Sequence, residues 1–363
     1  MAQNPEDVDP HDPVAHAEAE GDVEPHDQML TETDATVTLA EAMDEDRTEE
    51  VLDRLADHWP MVQETLESED LPEEPPERVA EWNGISDTLA EADVGFADTV
   101  DTLVSRAQRS YPSLLKLRFE PDEEIEFVPG HYTRITFEDY PPRVYSIASS
   151  PNREYIELTV RRVPGGGLTP HLCEEAEPGD ELFVRGPYGD DFGLDEPTER
   201  DLVFVATGTG VAPFWSMINY VFEEGWDETD GETQDVYLVL GSSWEDDLAY
   251  HEEWQEMDEE RENFHYLPTL SRESRLSDWE GETDYVQQVF LKCLDPDAVD
   301  TDDLPEKLQG FVGEELAGGE TPNLDPDSLE LFICGIGAMA NQVKEVAEHG
   351  GIPERFRNVE SYG

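Results

Sequence analysis

Residues 202–213 read Leu202-Val203-Phe204-Val205-Ala206-Thr207-Gly208-Thr209-Gly210-Val211-Ala212-Pro213. An unbroken apolar run stops at two glycines, and a proline follows where a helix can begin. Such a run marks a strand covered on both faces, as in a parallel sheet flanked by helices. The glycines let the backbone approach a pyrophosphate, and the helix start offers unpaired N–H groups at the positive end of a dipole. The stretch is therefore read as strand, phosphate loop and helix start of a dinucleotide-binding unit. It is not a P-loop, because no Gly-Lys-Ser/Thr follows, and Pro213 stands where the usual fingerprint has its third glycine.

Downstream the same pattern recurs. Val236–Leu240 and Leu329–Ile333 are further buried-strand runs, and helical stretches alternate with them, so residues 197–363 read as an α/β domain. Residues 295–328, acidic and carrying Pro and Gly, read as an insertion. Upstream the period changes to two. Leu114–Phe119, His131–Phe137 and Tyr155–Arg161 alternate as half-buried strands do, with turns at Pro121-Asp122 and Pro178-Gly179-Asp180, which makes 99–196 a β domain. Residues 31–98 read as an acidic helical N-terminal extension. Val51, Leu52, Leu55, Trp59, Val62 and Leu66 recur at helical spacing behind Thr48, a candidate N-cap, and Pro60 is expected to kink or divide that helix. A second helix is expected around Val79, Trp82, Ile85 and Leu89. This region either packs on the main body or docks a partner. Residues 1–30 are poor in large apolar side chains and read as disordered, with His11, His16 and His26 as solvated tail residues. No internal repeat is found.

Of the 363 residues, 90 are acidic and 22 basic, for a net charge of −68. Only Lys116, Lys292, Lys307 and Lys344 are lysines. A chain so short of cations cannot neutralise a nucleic-acid backbone or lie on an anionic membrane. The acid is spread along the whole length, which points to a salt-rich, halophilic cytoplasm where screening is strong; at 1 M salt the Debye length is about 3 Å. The N-terminus MAQNPEDVDP has no secretory character and no run is long enough to span a bilayer, so a cytoplasmic location is expected. Cys173, Cys293 and Cys334 lie far apart with no CxxC, so no disulfide framework, zinc site or iron–sulfur cluster is expected, and any iron–sulfur partner is a separate protein.

The β domain holds Arg143-Val144-Tyr145-Ser146-Ile147-Ala148-Ser149-Ser150-Pro151. A flavin needs an aromatic face to stack on, a hydroxyl near its redox-active N5 and a cation for its phosphates. Arg143, Tyr145 and Ser146 offer all three, with Arg143 and Tyr145 on one side of a strand and Ser146 on the other. Arg161 and Arg162 add cations at the end of the next strand. Gly165-Gly166-Gly167-Leu168-Thr169-Pro170 then makes a glycine turn into a helix, suited to a pyrophosphate.

Taken together these motifs resemble the ferredoxin–NADP reductase family, in both its plant-type and bacterial branches. RVYSIASSP is similar to the family's flavin motif, and GGGLTP to its pyrophosphate turn. Pro178–Gly189 resembles the hairpin closing the flavin barrel, and GTGVAP resembles the NADP loop. Phe332-Ile333-Cys334-Gly335 and Asn358-Val359-Glu360-Ser361-Tyr362 resemble two further family motifs, and all occur in family order over roughly residues 105–363. The resemblance implies an antiparallel Greek-key FAD-binding barrel followed by a Rossmann-like parallel-sheet NADP-binding domain.

It also implies roles. Tyr145 and Tyr362 would stack on the two flavin faces, with Tyr362 moving aside for nicotinamide. Ser146 would bond near N5, Cys334 and Gly335 would pack at the nicotinamide, and Glu360 would assist proton exchange. Arg143, Arg161, Gly166, Gly167 and Thr169 would hold FAD; Thr207, Gly208, Thr209, Gly210 and Pro213 would hold the NADP pyrophosphate. Ser271 and Arg272 resemble the residues that grip the 2′-phosphate, and Tyr285 with Gln287 those at the adenine. The chain departs from the plant-type pattern where Gly165 replaces a lysine, where Gly363 follows Tyr362, and in having no basic cluster to dock an acidic ferredoxin. The activity implied is hydride exchange between NADP(H) and FAD, with single electrons passed to or from ferredoxin or another one-electron carrier. Alternatives are the reductase component of an oxygenase or other multicomponent enzyme, a non-catalytic electron-transfer subunit, or an adaptor acting through residues 31–98.

Overall fold

A computed structural model describes residues 30–66, 71–189 and 191–362. The expected tail, residues 1–30, lies outside the described residues except for Leu30. The first element is a strand, β1 (Thr31–Ala42), followed by four helices, α1 (Thr48–Asp57), α2 (Trp59–Leu66), α3 (Val79–Ala92) and α4 (Val94–Ala107). Strands β2 (Leu114–Pro121), β3 (Tyr132–Phe137), β4 (Arg143–Ser146) and β5 (Ile156–Arg161), helix α5 (Leu168–Glu175) and strand β6 (Glu181–Tyr188) complete the first sheet. Its order is β4-β3-β6-β1-β2-β5, antiparallel throughout. The sheet curls into a nearly closed Greek-key barrel: beyond β4, the Ala148 N–H donates to the Glu157 carbonyl of β5 at 2.8 Å. Val37, Leu117, Phe119, Ile135, Leu158 and Val184 are among the side chains that fill it.

Two expectations are corrected here. Residues 31–42 are not helical; they form the strand between β6 and β2, with Thr33, Ala35 and Val37 inward and Glu32, Asp34 and Thr36 outward or half-exposed. Only Val37 is large among the inward residues, so the two-residue period is faint. The helices run on to Ala107, past the expected boundary at 99. They are an insertion between two adjacent strands of the barrel, since Ala42 stands opposite Leu115. Pro178–Gly189, expected as a hairpin, is a turn leading into the single strand β6 between β3 and β1.

The second domain comprises β7 (Asp201–Thr207), α6 (Ala212–Glu224), a small hairpin of β8 (Glu228–Thr229) and β9 (Glu232–Thr233), β10 (Val236–Ser242), α7 (His251–Glu260), β11 (Phe264–Leu270), α8 (Val286–Cys293), β12 (Leu329–Ile336), α9 (Gly337–His349) and β13 (Arg357–Tyr362). The five long strands form a parallel sheet ordered β11-β10-β7-β12-β13. Central β7 sends Leu202, Phe204 and Ala206 into one core and Val203 and Val205 into the other, as its unbroken apolar run requires. The strand order reverses between β7 and β12, the place where such sheets bind ligands. Residues 295–328 lie against α8, with Leu304, Leu308, Leu316 and Leu324 buried in that domain's core. The insertion helices build their own core from Val51, Leu55, Trp59, Trp82, Leu89 and Leu103, joined by Trp244 and Leu276 of the second domain.

Candidate functional site

Ser146 ends β4 and is buried, 7% exposed. Cys334, 0% exposed, lies in β12 in register with Glu360 of β13. The Cys334 thiol donates to Glu360 Oε2 at 3.9 Å, and Ser146 hydrogen-bonds the same carboxyl. Three residues expected to act at the reacting rings therefore meet, one from the barrel and two from the parallel sheet. Burial pushes the Glu360 carboxyl up to about 7, against the opposing pull of its bonds with Cys334 and Ser146. Tyr362 is the last residue of β13 and pairs with Ile336.

On the barrel side, Arg143 is exposed; its guanidinium donates to the Pro142 carbonyl at 2.9 Å and makes no ion pair among the described residues. Tyr145 is half-buried against the barrel core, and its hydroxyl is buried without a hydrogen-bond partner among the described residues; burial raises its pKa despite nearby Arg143. Thr169, near the start of α5, accepts the Val163 N–H at 2.9 Å, which draws the turn carrying Gly166 and Gly167 against the end of β5. Arg161 is taken elsewhere. Its guanidinium pairs with Asp247 at 2.6 Å, so in this conformation its charge is spent on the second domain rather than on a flavin phosphate. Arg162, one step along the strand, pairs with Glu174 through Nη2 and keeps a buried Nη1 with no partner among the described residues. Successive strand residues face opposite sides, so the two guanidinium groups project apart.

On the nucleotide side, β7 ends at Thr207 and Gly208–Val211 forms one tight 3-10 turn before α6. Gly208 has φ +54°, and a Cβ on Gly210 would lie 2.3 Å from the Cys334 carbonyl oxygen, so only glycine permits this approach. Thr209 is half-exposed in the turn, and Pro213 is buried in the first turn of α6, where its missing N–H costs nothing. A Cβ on Gly335 would meet Thr207 Oγ1 at 2.7 Å. This glycine turn thus sits directly on the strand that carries Cys334. Among the described residues, the hydroxyls of Thr207 and Tyr145 and Nη1 of Arg162 are buried polar atoms without partners. Leaving such groups unpaired costs about 1–3 kcal/mol each, so they fit a site completed by ligand oxygens.

Farther along the sheet edge, Ser271 and Arg272 follow β11, with their N–H groups donating to the carbonyls of Ser242 and Ser243, both at 3.1 Å. Arg272 is exposed and carries no ion pair among the described residues. Tyr285, 64% exposed, precedes α8. Gln287 is buried, 7% exposed, whereas Gln288 reaches back to accept the Tyr285 N–H at 2.8 Å.

The joint between the domains was not legible in the sequence. Ser216 of α6 donates to the Ser149 carbonyl at 2.6 Å, so the tail of the RVYSIASSP stretch docks on the second domain. Tyr250 donates to Glu157 of β5 at 2.8 Å and stacks on Trp215 with ring centroids 4.4 Å apart.

Comparison with known proteins agrees with this architecture. Residues 102–192 match the family described as "Oxidoreductase FAD-binding domain" and residues 204–345 match "Oxidoreductase NAD-binding domain". "Ferredoxin--NADP reductase B" of Sorangium cellulosum is 32% identical over 222 residues, 61% of this chain and 78% of that one. "Phenol hydroxylase P5 protein" of Acinetobacter pittii is 30% identical over 213 residues, 56% of this chain, which spans 58% of that protein's length. The crystal structure of Amycolatopsis cytochrome P450 reductase GcoB shares the fold, with TM-score 0.58 and 18% identity over 92% of this chain and 70% of that one. Among the described residues no helix is long and apolar enough to cross a membrane. With an antiparallel flavin barrel, a parallel nucleotide sheet and these matches in one chain, this protein belongs to the ferredoxin reductase family of FAD- and NAD(P)-dependent oxidoreductases.

Proposed function

We propose that the protein exchanges a hydride between NADP(H) and FAD and passes single electrons to or from ferredoxin or a similar one-electron carrier. The observation that carries this reading is the meeting of Ser146, Cys334 and Glu360 at the junction of the two domains. FAD, when bound, supplies the redox chemistry, taking two electrons together and releasing them singly. The chain's own residues bind and orient. Arg143, Arg162, Gly166, Gly167 and Thr169 hold flavin phosphates, and the ring of Tyr145 backs the flavin. Thr207 to Gly210 and Pro213 hold the nucleotide pyrophosphate. Cys334 and Gly335 wall the nicotinamide position; because Cys334 is wholly enclosed, a ring reaches it only after a neighbouring element such as the end of β13 yields. Glu360, near half-protonation at neutral pH, holds or releases a proton beside Ser146.

NADP(H) is preferred over NAD(H) in this reading because Arg272 makes no ion pair among the described residues of a chain rich in carboxylates. A planar guanidinium fits a 2′-phosphate, and Ser271 and Tyr285 flank the same edge. Arg272→Ala is expected to cost about 1.5–3 kcal/mol of NADP(H) affinity, the worth of a charged hydrogen bond. NADPH and NADH oxidation with ferricyanide as acceptor measures this; a variant still strongly selective for NADPH refutes the assignment.

The likeness to a phenol hydroxylase protein favours a second reading, the reductase component of an oxygenase. The readings part on the acceptor. NADPH-driven reduction of a free [2Fe–2S] ferredoxin supports the first, and reduction of an oxygenase component alone supports the second. Cys173, Cys293 and Cys334 are buried and form no disulfide among the described residues, which suits the reducing cytosol, where we assign the protein's action.

A further inference from the structure

The loop that carries Ser271 and Arg272 is gripped from outside its own domain. Arg47, at the entrance to α1 and 8% exposed, donates to both carboxylate oxygens of Glu273, at 2.9 and 2.8 Å. Glu273 is 0% exposed and also accepts the Glu245 N–H at 2.8 Å. Two residues on, the Arg275 guanidinium pairs with Asp98 of α4 at 2.7 Å, and its carbonyl accepts from Arg54 of α1 at 3.1 Å. Leu276 is packed in the core of the insertion helices. Positions 273, 275 and 276 are thus held by the insertion, while Arg272 between them and Ser271 stays exposed.

Glu273 is the carboxylate next to Arg272 in the chain. Left uncaptured, it would be an anion one residue away, able to compete with a phosphate for that guanidinium. A two-pronged grip from Arg47, which also pairs with Glu50 at 2.6 Å and Asp246 at 3.5 Å, offsets its charge and fixes the loop's course. We propose that the helical insertion, through the Arg47–Glu273 pair, is a positioning device that sets selectivity for the 2′-phosphorylated nucleotide. The proposal rests on the reading of Arg272 given above and deepens it, with Arg47 as a specificity-determining residue that touches neither nucleotide nor flavin.

The test compares full-length wild type with Arg47→Met. Flavin content and kcat at saturating NADPH are expected to be unchanged. KM for NADPH is expected to rise about tenfold, the coupling typical of two linked sites, with KM for NADH nearly unmoved. Calorimetric titration with adenosine 2′,5′-bisphosphate and with adenosine 5′-monophosphate reads the same difference without turnover: only the first is expected to weaken. Adding Glu273→Gln to Arg47→Met removes the competing charge and is expected to restore the preference. Equal losses for both nucleotides, or no loss for either, overturn the proposal. If Arg47→Met does not fold, Arg47→Lys, which keeps the charge and loses the fork, carries the same comparison with a smaller shift. Arg272→Ala runs alongside. If it leaves NADPH preferred, the reading of the 2′-phosphate site has failed; if it abolishes the preference while Arg47 variants do not alter it, only the positioning role has failed.

Discussion

Glu360 sits where two domains close on one carboxyl, and its chemistry follows from that enclosure. Its ordinary value of 4.5 is raised to about 7, chiefly by burial. A raised acid favours the folded state in its protonated form. That contribution is fully present below pH 4.5 and is lost as pH rises through 7. Melting temperatures taken from pH 4.5 to 8 should therefore fall more for wild type than for Glu360→Gln, which has no proton to lose; parallel curves would remove the assigned shift. For catalysis, Glu360→Ala is expected to slow hydride transfer by about 10²–10⁴-fold, the usual worth of a general acid–base group. Single-turnover mixing of the oxidised holoenzyme with NADPH checks it, and an unchanged rate takes Glu360 out of the chemistry. These residues were legible in the sequence because short motifs carry them. Which carboxylate captures each of Arg161 and Arg162 was not, because Asp247 and Glu174 reach them only in the folded chain.

At the scale of elements, β1 and the insertion matter most. With β1 paired on both edges, the barrel cannot close without it. Deleting residues 1–42 is expected to yield protein without flavin absorbance at 450 nm; a yellow, folded product would mean the barrel tolerates the gap. The insertion is anchored by charges as well as by its core. Asp246 pairs with Arg106 at 2.6 Å, and Asp247 with Arg109 at 2.7 Å and Arg161 at 2.6 Å. At Asp247 burial opposes ionisation, but Arg161 and Arg109 outweigh it and hold the carboxyl below its usual range. At Asp246 burial prevails and pushes the carboxyl up in spite of Arg106. Removing one member of such a buried set leaves an unpaired charge, the costly outcome. The apolar part centres on Trp82, 0% exposed and edge-on to Trp59 at 5.6 Å. Trp82→Ala is expected to destabilise the protein by about 3–5 kcal/mol in urea unfolding, and a loss below about 1 kcal/mol would mean that the site collapses to fill the cavity. The helices themselves were readable from apolar spacing, and Pro60 does divide them, standing second in α2. Thr48, read as a cap, is instead the first helical residue, and Asp46 accepts its N–H at 3.1 Å.

For the whole molecule, a net charge of −68 makes ionic strength a structural variable. Exposed carboxylates repel over about 10 Å at 0.1 M salt and about 3 Å at 1 M. The melting temperature is expected to rise steadily from 0.1 to 2 M KCl, and a flat curve would show that repulsion is not limiting. By itself the sequence determined the two domain types, their order and the cofactor motifs. Those depend on local chemistry: a period of two or an unbroken apolar run, glycines where backbone must come close, an arginine, a tyrosine and a serine on one strand. Only the tertiary structure decided that β1 belongs to the barrel and that the helices interrupt it to grip the second domain. The pairing of Arg47 with Glu273 spans 226 positions, and with 90 acidic residues available no arginine's partner can be chosen from spacing. Folding makes that choice, because a buried guanidinium must find the carboxylates that the packed backbone brings within reach.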